Sequence, residues 1–294
     1  PLLNDLLRAR YGNQRFLERG NSPVRNASSF IGAFCCIPFL PGDIDLVEGS
    51  PDNRRRFIDM LLCQVDDEYK NTLVRYKTVL TQRNAVLSSE HGIDKKLISI
   101  YNGYMRSYGA LIAKKRAETI RDLNAAEPPD TVAGKEGQSL VCAYATNVVD
   151  DNKNTLLEDS CHTIEEAYMQ RLETSFEGDC EWGYTQMGPH RDDIKIAFGG
   201  RDAARYASQG QKRLSGVALR VRSHEVIRDK TTDEKPVVLL VDDILGELDS
   251  AATEAVCSRI RKEQSLIAST HVVSQIGDDV ATVYEVEQGV LQQQ

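Results

Sequence analysis

The sequence predicts an α/β chain in two parts, a mostly parallel sheet with helices and a helix-rich lobe set into it. Three observations carry this. Val237–Val241 (Val-Val-Leu-Leu-Val) is an uninterrupted apolar run, as expected of a parallel strand buried on both faces. A crossover helix over Ser250–Lys262 and a strand over Ser265–Ser269 follow it and complete a βαβ unit. Upstream, residues 66–123 hold two long helical periodicities. The expected division is therefore 1–50 and 231–294 for the sheet-bearing part, with 51–230 as the helical lobe.

Composition narrows the class. At 294 residues and 41% hydrophobic, the chain can bury a sizeable core. No apolar run approaches the roughly 20 residues that span a bilayer, and no basic segment leads into an apolar one at the N-terminus, so a cytoplasmic location is expected. Seven cysteines, an odd number without a C-x-x-C, argue against a disulfide framework and a zinc site. A net charge of −8 gives no general attraction to nucleic acid, so DNA binding would need a local basic face.

Taken in order, Leu2–Arg10 is expected as a short helix, and Phe30–Leu40 as a buried strand ending at Pro38 and Pro41 that needs sheet neighbours. Pro51 suits the first turn of a helix, where its missing N–H costs nothing; Phe57, Met60 and Leu61 then share one face. The run Arg54–Arg56 is either a solvated face or a contact for phosphate or an acidic partner. Tyr69, Leu73, Tyr76 and Leu80 mark an amphipathic helix over 66–87. After a break at Ser88–Gly92, a second helix over Lys95–Leu123 places Leu97, Ile100, Tyr104, Tyr108, Leu111, Ile112 and Ile120 on its apolar side, and the two should pack antiparallel. Ser139–Asn147 reads as a strand. Thr163 with Glu166 reads as a capping box opening a helix to about Phe176. Ile194–Phe198 alternates as a strand closed by Gly199-Gly200, a helix after Ser208 buries Leu214, Val217, Ala218 and Val221, and Val283–Leu291 reads as a hairpin turning at Gln288-Gly289.

The chemistry concentrates between Ala207 and His271. Two carboxylates at the carboxyl end of a buried parallel strand stand where α/β folds hold ligands: Asp242 is expected to hold Mg²⁺ through water, and Asp243 to orient or deprotonate a water attacking a γ-phosphate. Ser208 and the backbone at Gly210, at a helix N-terminus, suit an anion. His271, past the next strand, is within reach of a γ-phosphate.

These residues, together with Glu48-Gly-Ser-Pro-x-x-Arg-Arg-Arg-Phe-Ile-Asp59, Gln82-Arg-Asn-Ala-Val-Leu87, Tyr108-Gly-Ala-Leu-Ile112 with Lys115-Arg116, Gly188-Pro-His-Arg-Asp-Asp193 and Val241-Asp-Asp-Ile-Leu-Gly-Glu-Leu-Asp249, resemble the RecF family of bacterial recombination-mediator ATPases, of the ABC/SMC-like class. The resemblance implies an ABC-ATPase-like head with a partial lobe I and a helix-rich lobe II. It implies ATP and Mg²⁺ as cofactors, with Ser208, Gln209, Gly210 and Gln211 as the ABC signature, Asp242 and Asp243 as the Walker B pair, Glu247–Asp249 as the D-loop and His271 at the switch-histidine position. It further implies a homodimer that closes over two ATP molecules, ATP-dependent binding of DNA at single-stranded gaps and junctions, and RecR and RecO as partners in loading RecA. Two alternatives stay open: a non-enzymatic relative that binds DNA or partners, and another SMC-like head, against which the short helical pair speaks.

The departures from the family are specific. Gly42 stands where an acid is usual, Gly246 where serine is usual, and Phe34–Leu40 has no glutamine. No G-x-x-x-x-G-K-[ST] occurs in the 294 residues, so a fragment lacking the family's P-loop region is expected. Charge-assisted bonds from P-loop amides and lysine to phosphate contribute about 1.5–3 kcal/mol each, so three of them amount to roughly 4.5–9 kcal/mol. At about 1.4 kcal/mol per decade that is at least about three orders of magnitude in affinity. The 294-residue chain should therefore bind ATP weakly and not hydrolyse it; calorimetric titration showing micromolar binding would refute this.

Overall fold

The apolar run at residue 237 does become the middle of a parallel sheet, and its first neighbour comes from the far end of the sequence. The computed structural model describes residues 7–10, 16–19, 22–23, 31–126, 139–149, 156–232, 235–270 and 282–293. Strands β1 (Leu7–Arg10), β2 (Phe16–Arg19) and β3 (Ser22–Pro23) form an antiparallel sheet. Residues 7–10 are thus a strand, not the helix expected over Leu2–Arg10; residues 2–6 lie outside the described set. Strand β4 (Cys35–Phe39) is followed by a 3-10 turn (Pro41–Ile44) and the short helix α1 (Asp45–Glu48). The strand needed a sheet neighbour and finds it about 200 residues later, pairing in parallel from Cys35↔Val237 to Phe39↔Val241.

Next come α2 (Pro51–Val65), α3 (Asp67–Leu87) and α4 (Lys95–Ala125). Asp66 caps α3 by accepting from the Tyr69 amide and also takes Lys115 Nζ at 2.8 Å, so the start of α3 is fastened to α4. Tyr69, Leu73 and Tyr76 are buried as their spacing predicts. Three assignments to the apolar faces are corrected. Met60 on α2 is 47% exposed, and Ile100 and Tyr104 on α4 face solvent, because the buried stripe of α4 runs through Ile98 and Met105 before it reaches Ile112 and Ile120, which are buried as expected.

Strand β5 (Leu140–Ala145) precedes α5 (Cys161–Thr174) and α6 (Phe176–Trp182). The cap of helix α5 lies three residues before the position expected for it, since Ser160, not Thr163, accepts the first-turn amide, from Thr163 N at 3.2 Å. Strands β6 (Asp193–Phe198) and β7 (Arg201–Asp202) join β5 in an antiparallel sheet, registered from Leu140↔Phe198 to Ala145↔Asp193. The chain continues as α7 (Ala203–Tyr206), α8 (Gln209–Lys230), β8 (Val237–Asp242), α9 (Ser250–Ile260) and β9 (Gln264–Ala268), and finishes in the hairpin β10 (Tyr284–Glu287) and β11 (Val290–Gln293). Its turn places Gln288 (φ 49°) and Gly289 (φ 83°) in the left-handed region. The parallel sheet has the order β4-β8-β9.

Two fully buried arginines hold the helical lobe together. Arg83 binds Asp179 at 2.8 Å, Asn102 at 2.8 Å and Thr185 at 2.7 Å. Arg116 binds Asp59 at 2.8 Å, Tyr69 at 3.1 Å and the Pro189 carbonyl at 2.7 Å. The arginine run on α2 is structural at two of its three positions: Arg54 makes a two-pronged pair with Asp193 at 2.7 and 3.2 Å, and Arg55 holds the Asp192 carbonyl. Gly188-Pro-His-Arg191 is the turn on which these contacts converge. His190 Nε2 faces the Thr185 carbonyl at 3.0 Å and so carries the proton; its Nδ1 then accepts from Tyr76 at 2.7 Å. Burial pushes the His190 pKa down to about 4.

Gly188 sits at φ 135°, and a Cβ there would lie 2.1 Å from the Tyr168 hydroxyl and 2.4 Å from that of Tyr76. Gly188→Ala should therefore cost roughly 2–4 kcal/mol, read as a lower urea midpoint at unchanged slope. His190 has a folded pKa below its unfolded one, so its contribution is present above pH 6.5 and is lost as pH falls toward 4, by about 3 kcal/mol at pH 4. Denaturation at pH 7 and pH 4 should show that extra loss in the wild type and not in His190→Gln.

Candidate functional site

The carboxyl end of the parallel sheet carries the acid pair. Asp242 is the last residue of β8, pairs in register with Ala268 of β9 and is exposed. Asp243, next along, has φ 45°, a left-handed conformation that aspartate tolerates better than most residues. Its amide donates to the Ala268 carbonyl at 2.9 Å, and its carboxylate accepts from Thr270 Oγ1 at 3.2 Å and from the Thr270 amide at 3.4 Å. The backbone turn thus points two successive carboxylates away from the sheet end, one open and one held by the segment after β9. Thr270 was legible only as part of the Ala268-Ser-Thr-His271 sequence. His271 itself lies outside the described residues.

The Ser208–Gln211 turn opens α8. Ser208 Oγ accepts from the Gln211 amide at 3.3 Å and Gln211 Oε1 accepts from the Ser208 amide at 2.9 Å, a reciprocal capping box that satisfies two helix-end donors. Ser208, Gln209 and Gly210 are exposed, and nothing lies within 4 Å of the space a Cβ would take at Gly210. Asp249 caps α9 with its side chain alone, accepting from Ala252 N at 2.8 Å. These two turns and the acid pair are carried by separate elements: the contacts of the Ser208 turn run to α1, and those of Asp243 to the end of β9.

What ties α8 to the sheet was not read from the sequence. Glu48, at the end of α1, receives Lys212 Nζ at 3.0 Å and Gln209 Nε2 at 3.5 Å, and the hydrogen bond from Lys212 holds its carboxyl below the usual range. Asp43, in the turn leaving β4, receives both Nε and Nη2 of Arg220 at 3.0 and 2.7 Å while its other oxygen takes the Leu40 amide at 3.0 Å. Gly216 lets the helix close on this turn, since a Cβ there would lie 2.7 Å from the Asp43 carbonyl. The signal for this seat was present in the charge pattern: acids at 43 and 48 face cations spaced eight apart, at 212 and 220, on one face of α8.

Among the described residues no cluster of three or more His, Cys, Asp or Glu could cage a metal ion. The exposed Asp242 and Asp243 fit instead an ion held by one or two carboxylates and completed by water and phosphate, the habit of Mg²⁺. No described helix is long and apolar enough to cross a membrane.

No family model matches the chain. Among curated proteins, it is 30% identical over 264 residues to the DNA replication and repair protein RecF of Clostridium acetobutylicum, covering 89% of this chain and 69% of that protein. With RecF of Clostridium perfringens strain SM101 it shares 34% identity over 275 residues, 92% of this chain and 72% of the relative. Among solved structures, the recombination mediator protein RecF-ATP of the RecFOR pathway superposes with a TM-score of 0.81 at 26% identity, covering 96% of this chain and 73% of the other; RecF-ATPrS of the same pathway gives 0.83 at 24% identity, covering 98% and 76%. The ABC-ATPase-like α/β head expected from the motifs is the fold found. On identity sustained across nine-tenths of its length and more than two thirds of its relatives' length, the chain belongs to the RecF family of DNA replication and repair proteins.

Proposed function

We propose that this chain supplies the signature and acid-pair half of an ATP-dependent DNA-binding machine of replication and repair. The observation that carries this reading is the pair of exposed acids, Asp242 and Asp243, at the carboxyl end of the central parallel strand, in a family whose solved members include RecF-ATP. Mg²⁺, when bound, would neutralise phosphate charge beside Asp242. Asp243 would orient the attacking water, its carboxylate already aimed by Thr270. Ser208, Gln209, Gly210 and Gln211 form a rigid, exposed helix entrance that favours an anion brought to it by a second subunit, with Asp249 at the D-loop position beside the same interface and His271 at the switch position. Under this reading 1–50 and 231–294 are lobe I and 51–230 is lobe II, and the closed state is an ATP-bound homodimer.

DNA is the proposed macromolecular ligand, single-stranded gaps and their junctions the proposed target, and RecR, RecO and RecA loading the proposed setting, on the strength of the family and of relatives placed in the RecFOR pathway. Within the basic run 54–56, Arg54 and Arg55 are poor candidates for phosphate contact, since they are engaged with Asp193 and the Asp192 carbonyl.

Asp243→Asn keeps a residue that tolerates the left-handed backbone and removes the charge. In a form of the protein that hydrolyses ATP, it should leave nucleotide affinity nearly unchanged and lower the turnover number about 10²–10⁴-fold. Phosphate-release kinetics alongside equilibrium nucleotide binding check this; undiminished turnover removes Asp243 from the role.

A further inference from the structure

A cavity of about 530 Å³ opens between α2 and α3, beside Arg116 and His190 and remote in sequence from the acid pair. Its lining sets five cations, Arg55, Arg56, Lys70, Lys77 and Arg116, against the carboxylates of Asp52 and Asp59, on a chain whose net charge is −8. Three of the five are already engaged. Arg116 binds Asp59, Arg55 binds Asp52 and the Asp192 carbonyl, and Lys70 binds Asp67 at 2.5 Å and the Ile31 carbonyl at 2.9 Å. Arg56 and Lys77 are exposed and, among the described residues, make no hydrogen bond or ion pair.

The walls between these two cations are apolar. Met60 on α2 is 47% exposed and Val74 on α3 is 53% exposed, with Leu73 and Ile112 behind them. Large apolar side chains left half open on facing helices, with unpaired cations beside them, make a site with one hydrophobic slot and a positive rim. The size falls in the range of pockets that enclose a small ligand or one anchoring side chain.

We propose that this cavity docks an acidic peptide segment of a partner protein, whose single large apolar side chain inserts between Met60 and Val74 while flanking carboxylates meet Arg56 and Lys77. Charge complementarity selects the acidic segment, and the slot selects the anchor. Nucleic acid fits less well. Base recognition in single strands relies on exposed aromatic faces, whereas the aromatic ring here, Tyr76, is buried with its hydroxyl committed to His190.

The test is fluorescence polarisation on the 294-residue chain with a labelled hexapeptide of four aspartates followed by two leucines. Binding is expected to weaken at least about tenfold when both leucines become alanine, and to disappear when the aspartates become lysine. Arg56→Glu combined with Lys77→Glu should weaken it at least about tenfold, and Val74→Asp likewise, with circular dichroism and melting unchanged. If a variant misfolds, the two altered peptides still decide the matter on the wild-type chain. Equal affinity for the alanine or lysine peptides overturns the assignment, as does displacement by hexathymidylate at the same concentration as by unlabelled peptide.

Discussion

Arg116 is the constraint on which the helical lobe rests. A guanidinium taken out of water costs several kcal/mol unless its donors are matched, so a fully buried arginine dictates where its partners must be. Here those partners come from α2 (Asp59), α3 (Tyr69) and the turn before β6 (Pro189 and, at 3.5 Å, Asp192), while the arginine itself belongs to α4. Four segments spread over residues 59–192 therefore meet at one charge. Asp192, buried in its turn, has its carboxyl pushed up by that burial, and Tyr144 of β5 donates to it, which extends the same network into the antiparallel sheet. Arg83 repeats the device farther along α3, joining α4, α6 and the Thr185 segment.

The lobe so assembled is coupled to the parallel sheet through α8. Asp43 and Gly216 fix the middle of that helix to the exit of β4, Glu48 fixes its first turns, and β4 is hydrogen-bonded to the strand that ends in Asp242. The exposed turn at Ser208 and the acids at 242 and 243 are consequently parts of one continuous body, although they share no direct contact.

The sequence was most informative where a residue's chemistry and its position coincide. The apolar run at 237–241 was legible as a strand and the stretch after Ser208 as a helix, because apolar runs and helix starts each leave a local mark; the two-faced burial expected of the strand is met at Val237, Leu239 and Val241, whereas Val238 and Leu240 are only half-buried. The long pair α3 and α4 was legible from period alone. Less visible were features that depend on partners far along the chain. The neighbour of β4 lies beyond the whole helical lobe; Met60, Ile100 and Tyr104 obey the helical period yet sit at the edge of the buried stripe; and Thr163-x-x-Glu166 satisfies the capping pattern while Ser160, equally suited, is where the chain actually enters the helix. Buried arginines are hardest of all, since a charged residue in a helical pattern reads as solvent-facing until its carboxylate is found. The motifs that identified the family, among them Arg54–Asp59, Arg83, Arg116 and Gly188–Asp193, turn out to serve architecture, and their specificity comes from that mutual dependence.

The pairing of β4 with β8 also bears on how the molecule is made. During synthesis the first of these strands emerges with an apolar face and no partner, and about 200 further residues must follow before Val237 can reach Cys35. Closing so long a disordered loop would cost about 5 kcal/mol in chain entropy. A helical lobe that folded first would shorten that loop to the span between its own two ends and remove much of the barrier. In that order of assembly, lobe before sheet, the carboxylates at the end of β8 would come into register last.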